Sequence, residues 1–257
     1  MNYSDIISGF TWSYSRLTSF EMCPYKFFLT YIKQYEGAPL FFSDFGSFIH
    51  KIIEMYLNGD LKKDELAQYY LLHFRENVRG KAPKPEIFKS YFEQGLQYLS
   101  NIDFPYKNPR GVEERVDFSI DGVPFVGIID CIAEEDDGIV ILDNKSRTLK
   151  PRSKRKKPTK TDEELDEYLR QLYLYSIAIQ EKYGLPVKRL EFNCFRTPEL
   201  ISEPFVQEKQ DEAKQWAIET IERIKTNEKW NPDLEFWKCN YICDMQDECE
   251  YYQMNKR

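Results

Sequence analysis

The sequence predicts an α/β fold in which a central mixed sheet is flanked by helices and preceded by a helical N-terminal addition. Residues 113–145 hold three strand-like runs separated by the turn-forming segments Asp121-Gly122 and Asp136-Asp137-Gly138. A capped amphipathic stretch follows, and then a strand over 187–196 and a helix over 208–226. Upstream, aromatic and aliphatic residues recur at helical spacing.

Taken in order, residues 15–35 read as a helix with Phe20, Phe27, Phe28 and Tyr31 near helical spacing. It is interrupted at Cys23-Pro24, where the proline starts a new segment. A second helix over 46–57 buries Ile49, Ile52, Ile53 and Tyr56, with His50 beside that face. Residues 60–100 are helical with a break at Lys81-Ala82-Pro83-Lys84-Pro85 and read as scaffold or lid. The sheet begins near Glu113, where Val116, Phe118 and Ile120 alternate with polar residues. The returning strand over 123–132 carries Asp130 among isoleucines, and the third runs through Ile139-Val140-Ile141-Leu142 to Asp143-Asn144-Lys145. Thr161-Asp162-Glu163-Glu164 has capping-box spacing and opens a helix ending near Tyr183, before Gly184 and Pro186. Its inward stripe is Leu165, Leu169, Leu172, Ser176 and Ile179, with Gln171 and Tyr175 four residues apart on an adjoining face. The expected organisation is one integrated domain: a helical region over 1–110, a core over 111–230 and a cysteine-bearing segment over 231–257.

At 257 residues the chain can bury one substantial core. It contains no run of eighteen apolar residues, and Met1-Asn2-Tyr3-Ser4-Asp5 has no charged and apolar leader pattern, so no membrane association and a cytoplasmic location are expected. A net charge of -7 argues against a general nucleic-acid coat protein. Basic charge is concentrated between Lys150 and Lys160, where Lys154, Arg155, Lys156 and Lys157 are either a solvated loop or a grip on a phosphate backbone.

Asp143 and Lys145 lie two residues apart on one strand and should project to the same side, with Asn144 on the other. A carboxylate beside an amine is either a strand-end ion pair or a place to hold a divalent metal next to a positive charge. Asp130 in its apolar context needs a partner or a metal. His50 is either a satisfied core histidine or a ligand.

The set and its order resemble the RecB-like branch of the PD-(D/E)XK nuclease superfamily. Ser13-Tyr14-Ser15-Arg16-Leu17 through Cys23-Pro24 looks like its opening motif, and Gly46-Ser47-Phe48-Ile49-His50 is similar to its Gly-x-x-x-His. Gly127-Ile128-Ile129-Asp130 resembles its Gly-x-x-Asp strand, Asp143-Asn144-Lys145 its catalytic Asp-x-Lys, and Gln171-Leu172-Tyr173-Leu174-Tyr175 its Gln-x-x-x-Tyr helix. The resemblance implies a restriction-endonuclease-like core. In it His50, Asp130, Asp143 and the backbone carbonyl of Asn144 bind Mg2+ or Mn2+, and Lys145 orients or deprotonates the attacking water. Gln171 and Tyr175 contact DNA and hold the lysine, and either Glu113 or Glu114 adds a carboxylate.

Cys239, Cys243 and Cys249, together with the distant Cys23, resemble a second feature of that branch. It is the [4Fe-4S] staple of CRISPR-associated RecB-like exonucleases, of the AddB nuclease domain and of a eukaryotic flap-processing helicase-nuclease. Four thiolates can also hold zinc, although the Cys-x2-Cys pairs that zinc favours are absent here. The Cys239-x3-Cys243 spacing is one residue longer than is common in the branch. Cys131 and Cys194 fall in the core. The function implied is a DNA exonuclease acting on single-stranded ends, 5′ to 3′, similar to the CRISPR adaptation nuclease and working with an integrase. The alternatives are a phage or mobile-element recombination or repair nuclease working with recombination proteins, and a catalytically silent DNA-binding or interaction module. The retained Asp130, Asp143, Lys145 and His50 argue against the last.

Overall fold

The computed structural model describes residues 3–136 and 138–255, so Asp137 of the second predicted turn lies outside the described residues. Five strands run in the order β1-β2-β3-β4-β5: β1 Gly111–Ile120, β2 Val123–Glu135, β3 Gly138–Lys145, β4 Val187–Cys194 and β5 Glu199–Pro204. The first three form an antiparallel meander, β4 pairs parallel to β3, and β5 returns antiparallel. The β1–β2 hairpin closes through Asp121 at φ 50° and Gly122 at φ 79°, the left-handed pair that a two-residue turn requires. The parallel step needs a crossover, supplied by α7 (Lys160–Tyr183) and stopped by Gly184 in the left-handed conformation at φ 64°.

Helices cover both faces. On one lie α7, α8 (Gln207–Lys225) and the N-terminal α1 (Ser4–Ser8), α2 (Tyr14–Met22) and α3 (Pro24–Phe27), with Ile139, Ile141, Leu172 and Phe192 in a shared core. On the other lie α4 (Phe41–Leu57), α5 (Leu66–Asn77) and α6 (Pro85–Ser100), where Phe45, Phe48, Ile49 and Tyr70 pack on Cys131, Leu142 and Phe195. The central strand β3 is buried from Gly138 to Asn144, as expected of a strand covered on both sides. Among the described residues no helix is long and apolar enough to cross a membrane.

The expected break at Cys23-Pro24 is present: Cys23 is extended, its sulfur accepts from the Lys26 amide as the N-cap of α3, and a π-helical turn, Phe28–Ile32, follows. The capping box of α7 lies two residues before Thr161, with the Thr159 hydroxyl and the Asp162 carboxylate satisfying each other's backbone amides. Between the predicted strand over 187–196 and the helix over 208–226, a stretch for which the sequence predicts no element, the chain forms β5, an edge strand in which Ile201 alone is buried.

The two ends of the described chain are tied together. Lys26 pairs with Asp244 at 2.8 Å, the Tyr25 hydroxyl donates to Glu250, and the Ala38 amide donates to the Asp244 carbonyl. A last helix, α9 (Glu250–Asn255), places Tyr251 edge-on against Tyr25.

Candidate active site

Strand alternation sends Asp143 and Lys145 of β3 toward α7 and Asn144 toward α6. The Lys145 ammonium sits 2.8 Å from Asp143 Oδ2 and donates to Gln171 Oε1 at 3.1 Å; Gln171 Nε2 in turn donates to the Tyr175 hydroxyl at 3.2 Å. Gln171 and Tyr175 are one turn apart on α7, so the helix presents both to the strand end. The Asp143–Lys145 contact is ionic but not angled as a good hydrogen bond, which leaves the buried Asp143 Oδ2 with acceptor capacity to spare. The rings of Tyr168 and Phe192 flank the ammonium at 5.6 and 5.7 Å. Burial works against its charge, but the adjacent Asp143 carboxylate prevails and the Lys145 pKa is raised.

Gly127 on β2 leaves room for the Tyr175 ring of α7. A Cβ there would be 2.8 Å from Cδ1 and 3.0 Å from Cζ of Tyr175, so the bare backbone of β2 is the surface against which that ring lies.

Across from the lysine, His50 Nδ1 on α4 is 3.2 Å from Asp130 Oδ2 and 3.8 Å from Glu113 Oε1. The Asn144 backbone amide also donates to Asp130 Oδ2, at 2.6 Å. Among the described residues, the donor atoms of His50, Glu113 and Asp130 all lie within 4.8 Å of one another, a spacing suited to a metal ion. Asp143 is buried nearby with its carboxylate turned to Lys145. Burial lowers the His50 pKa, but Asp130 and its neighbours outweigh it and lift the imidazole to about 9. Burial and the Asp143 charge push Asp130 up. Both directions report crowded negative charge that a divalent cation would offset.

Of the two glutamates left open by the sequence, Glu113 faces the site. Glu114 projects elsewhere and binds Lys182 at 2.7 Å and the Tyr183 hydroxyl. The signal is in the hairpin: counting back from the two-residue turn, Val112 opposes Cys131 and Glu114 opposes Ile129, which puts Glu113 opposite Asp130. Glu113 adopts φ 46°, a strained conformation for a non-glycine residue and one that concentrates at functional sites. An open groove of about 420 Å3 adjoins the cluster, lined by Gly46, Ser47, His50, Lys51, Glu113 and Ser146 among others.

The basic loop is anchored at both ends. Arg152 pairs with Asp166 and Glu203 at 2.7 Å each, and Ser153 and Thr159 donate to Asp162. Lys154, Arg155, Lys156 and Lys157 are exposed between these anchors.

Cys23, at the junction of α2 and α3, lines one cavity together with Cys239, Cys243 and Cys249. The amides of Lys26 and Asp233 donate to Cys23 Sγ at 3.4 and 3.3 Å. Burial pushes the Cys243 thiol up to about 11 and raises Cys239 and Cys249, with neighbouring cysteines adding to each. These sulfurs share a cavity, yet among the described residues no three of them approach within 4.8 Å of one another. Cys131 and Cys194 are fully buried elsewhere.

A family model described as the PD-(D/E)XK nuclease superfamily matches residues 11–250. A 75-residue stretch, 29% of this chain, is 32% identical to an ATP-dependent helicase/nuclease subunit of Desulforamulus reducens and covers 5% of that protein's length. The solved structure of a candidate exonuclease from Eubacterium rectale superposes with a TM-score of 0.55 at 15% identity, over 99% of this chain and 91% of that one, a likeness of fold.

Proposed function

The chain belongs to the PD-(D/E)XK nuclease superfamily, and we propose that it is a metal-dependent nuclease hydrolysing DNA at the His50–Glu113–Asp130–Asp143–Lys145 cluster. The observation that carries this reading is the convergence of three ligand atoms within 4.8 Å beside an ammonium held by Asp143 and Gln171. Those donors and the spare capacity of buried Asp143 Oδ2 fit Mg2+ or Mn2+, with the imidazole favouring manganese and the Asn144 carbonyl completing the set. When bound, such an ion polarises the phosphoryl group and lowers the pKa of water.

The protein's own groups do the rest. Lys145 holds a positive charge where negative charge builds on the phosphoryl oxygens, and orients the attacking water. Gln171 and Tyr175 fix the lysine's rotamer, so that it is preorganised before substrate arrives. Asn144 fixes Asp130 through its amide. The exposed Lys154, Arg155, Lys156 and Lys157 lie on the loop that follows β3 and offer phosphate contacts.

The finer reading is an exonuclease on single-stranded ends with 5′ to 3′ polarity, serving CRISPR adaptation. It is supported by the likeness of the five motifs and four cysteines to that branch. The preference for a [4Fe-4S] cluster over zinc rests on the cysteine spacing, which lacks the Cys-x2-Cys pairs that zinc favours, and on the four cysteines lining one cavity. Such a cluster would pin the N-terminal helices to the segment over 231–257. The 75-residue match to a helicase/nuclease protein favours a second reading, a recombination or repair nuclease whose motor is supplied outside these 257 residues.

Strands labelled at the 5′ or the 3′ end, and flapped duplexes, separate these possibilities. Short labelled products released first from the 5′ end support the exonuclease reading; internal cuts on closed circles refute it. Anaerobically purified protein should be brown and absorb broadly near ~400 nm, and colourless protein with stoichiometric zinc would overturn the cluster.

A further inference from the structure

Arg196 lies just beyond the C-terminal end of β4, beside the end of β3 that carries Lys145. In an α/β sheet the carboxyl ends of adjacent parallel strands are where ligands bind. Its guanidinium is half-buried and stacked on the Tyr91 ring at 3.6 Å. Nε donates to Gln94 Oε1 at 2.8 Å, and Nη1 donates to the Tyr91 hydroxyl at 2.7 Å and to the Ser146 carbonyl at 3.4 Å. All of these acceptors are neutral. Among the described residues Nη2 has no acceptor, so two of the five guanidinium hydrogens are unspent.

The neighbouring arginine shows the contrast. Arg147 stacks on Tyr168 but is neutralised by Glu164 at 2.7 Å. Among the described residues Arg196 has no such carboxylate, although a half-buried cation normally acquires one. Ser146, which it touches, lines the groove that also holds Gly46, His50 and Glu113. The next residue back, Phe195, is fully buried, receives the His50 ring edge-on at 6.0 Å, and donates its amide to the Lys145 carbonyl. A rigid, uncompensated guanidinium is thus fixed against Ser146, a lining residue of the groove that leads to the metal-ligand cluster.

We infer that Arg196 is a phosphate clamp, binding a backbone phosphate of the nucleic-acid strand beside the one being cut, with Tyr91 and Gln94 holding its fork in place. This rests on the nuclease reading of the site. A planar fork with two free hydrogens suits a phosphate's two non-bridging oxygens, and its prior immobilisation reduces the entropy lost on binding.

The test is binding of a labelled oligothymidylate with Mn2+ in a Lys145→Ala background, with and without Arg196→Gln, as salt is varied. Loss of one phosphate contact should weaken binding about tenfold and flatten the log Kd against log salt slope by about 0.7 for a single strand. Oligonucleotides carrying one neutral methylphosphonate linkage, moved along the strand, should reveal a position whose neutralisation weakens binding with Arg196 present and has no effect with it replaced. If the glutamine variant fails to fold, Arg196→Lys is read by affinity and by the linkage scan instead of by slope: the charge is kept, but loss of the fork should weaken binding, and unchanged affinity with no position-specific linkage effect would count against the clamp. For Arg196→Gln, an unchanged slope and no position-specific linkage effect would overturn the clamp alone. Wild-type protein that neither binds nor cuts DNA would overturn the nuclease reading beneath it.

Discussion

Adding one methyl group at Gly127 should disable the site from the far side of a tyrosine. An alanine Cβ would meet the Tyr175 ring at several atoms, 2.8 Å from Cδ1 and 3.0 Å from Cζ, and a ring fixed between β2 and α7 cannot swing clear as a flexible chain end can. Overpacking of this kind costs about 1 to 3 kcal/mol, or roughly 2 to 10 °C in Tm for a chain of this size. The displacement propagates because the Tyr175 hydroxyl accepts from Gln171, and Gln171 accepts from Lys145. A shift of about 1 Å in a reacting group can cost about a hundredfold in rate, so cleavage should fall more than stability. Urea unfolding and single-turnover cleavage would be measured for Gly127→Ala, Tyr175→Ala and the double variant. In the Tyr175→Ala background the clash is gone, and Gly127→Ala should be neutral or stabilising by up to about 1 kcal/mol through the lost freedom of the unfolded chain. Equal destabilisation in both backgrounds would refute the steric link.

Four further outcomes are expected. Glu113→Gln should weaken Mn2+ binding about 10- to 100-fold, the range seen when a metal site loses a supporting carboxylate, whereas Glu114→Gln should only loosen Lys182 and Tyr183; titration calorimetry giving identical affinities for the two would remove Glu113 from the site. Thr159→Ala should cost about 1 kcal/mol at the N-terminus of α7. Hydrogen bonds from Ser153 and Thr159 hold the Asp162 carboxyl well below the usual range, so its stabilising effect is complete above the unfolded value of about 3.9 and is lost as pH falls below it. Asp162→Asn should flatten that acid limb, and an unchanged limb would show that other carboxylates set it. Cys243→Ser should abolish iron retention and lower Tm, and full iron with unchanged Tm would dismiss Cys243 as a ligand.

The parts of the fold that can be read in the sequence are those where periodicity and chemistry agree. The run Ile139-Val140-Ile141-Leu142 is apolar on both faces because β3 is central, and the stripe of Leu165, Leu169, Leu172 and Ile179 is buried because α7 crosses over that strand. Strand β5 is hard to see because Glu199-Leu200-Ile201-Ser202-Glu203-Pro204 buries a single isoleucine at a sheet edge, leaving almost no pattern to find. The α7 cap is ambiguous because two threonines two residues apart both precede acidic residues, and only the loop geometry that brings Ser153 to Asp162 selects Thr159.

The site is legible in the same uneven way. Asp130, Asp143 and Lys145 stand out because charge in an apolar strand is costly. Glu113 and Glu114 are equivalent by composition, and the hairpin register separates them: Val112 opposes Cys131 and Glu114 opposes Ile129, leaving Glu113 across from Asp130. Arg196 carries no sequence signal, since its meaning lies in the neutral acceptors around it. The link from Gly127 to Tyr175 is equally invisible, because it is a contact across 48 residues whose only trace is a missing side chain.

Phosphodiester hydrolysis should depend on Lys145, the ammonium held between Asp143 and Gln171 beside the metal ligands. Single-turnover cleavage of end-labelled single-stranded DNA with Mn2+ by wild type and by Lys145→Ala puts that dependence to the test, with Tm recorded for both. Cutting by the wild type and a loss of at least about a hundredfold in the variant is expected from removal of a preorganised charge. Equal cutting by the two proteins, at equal fold stability, would contradict it.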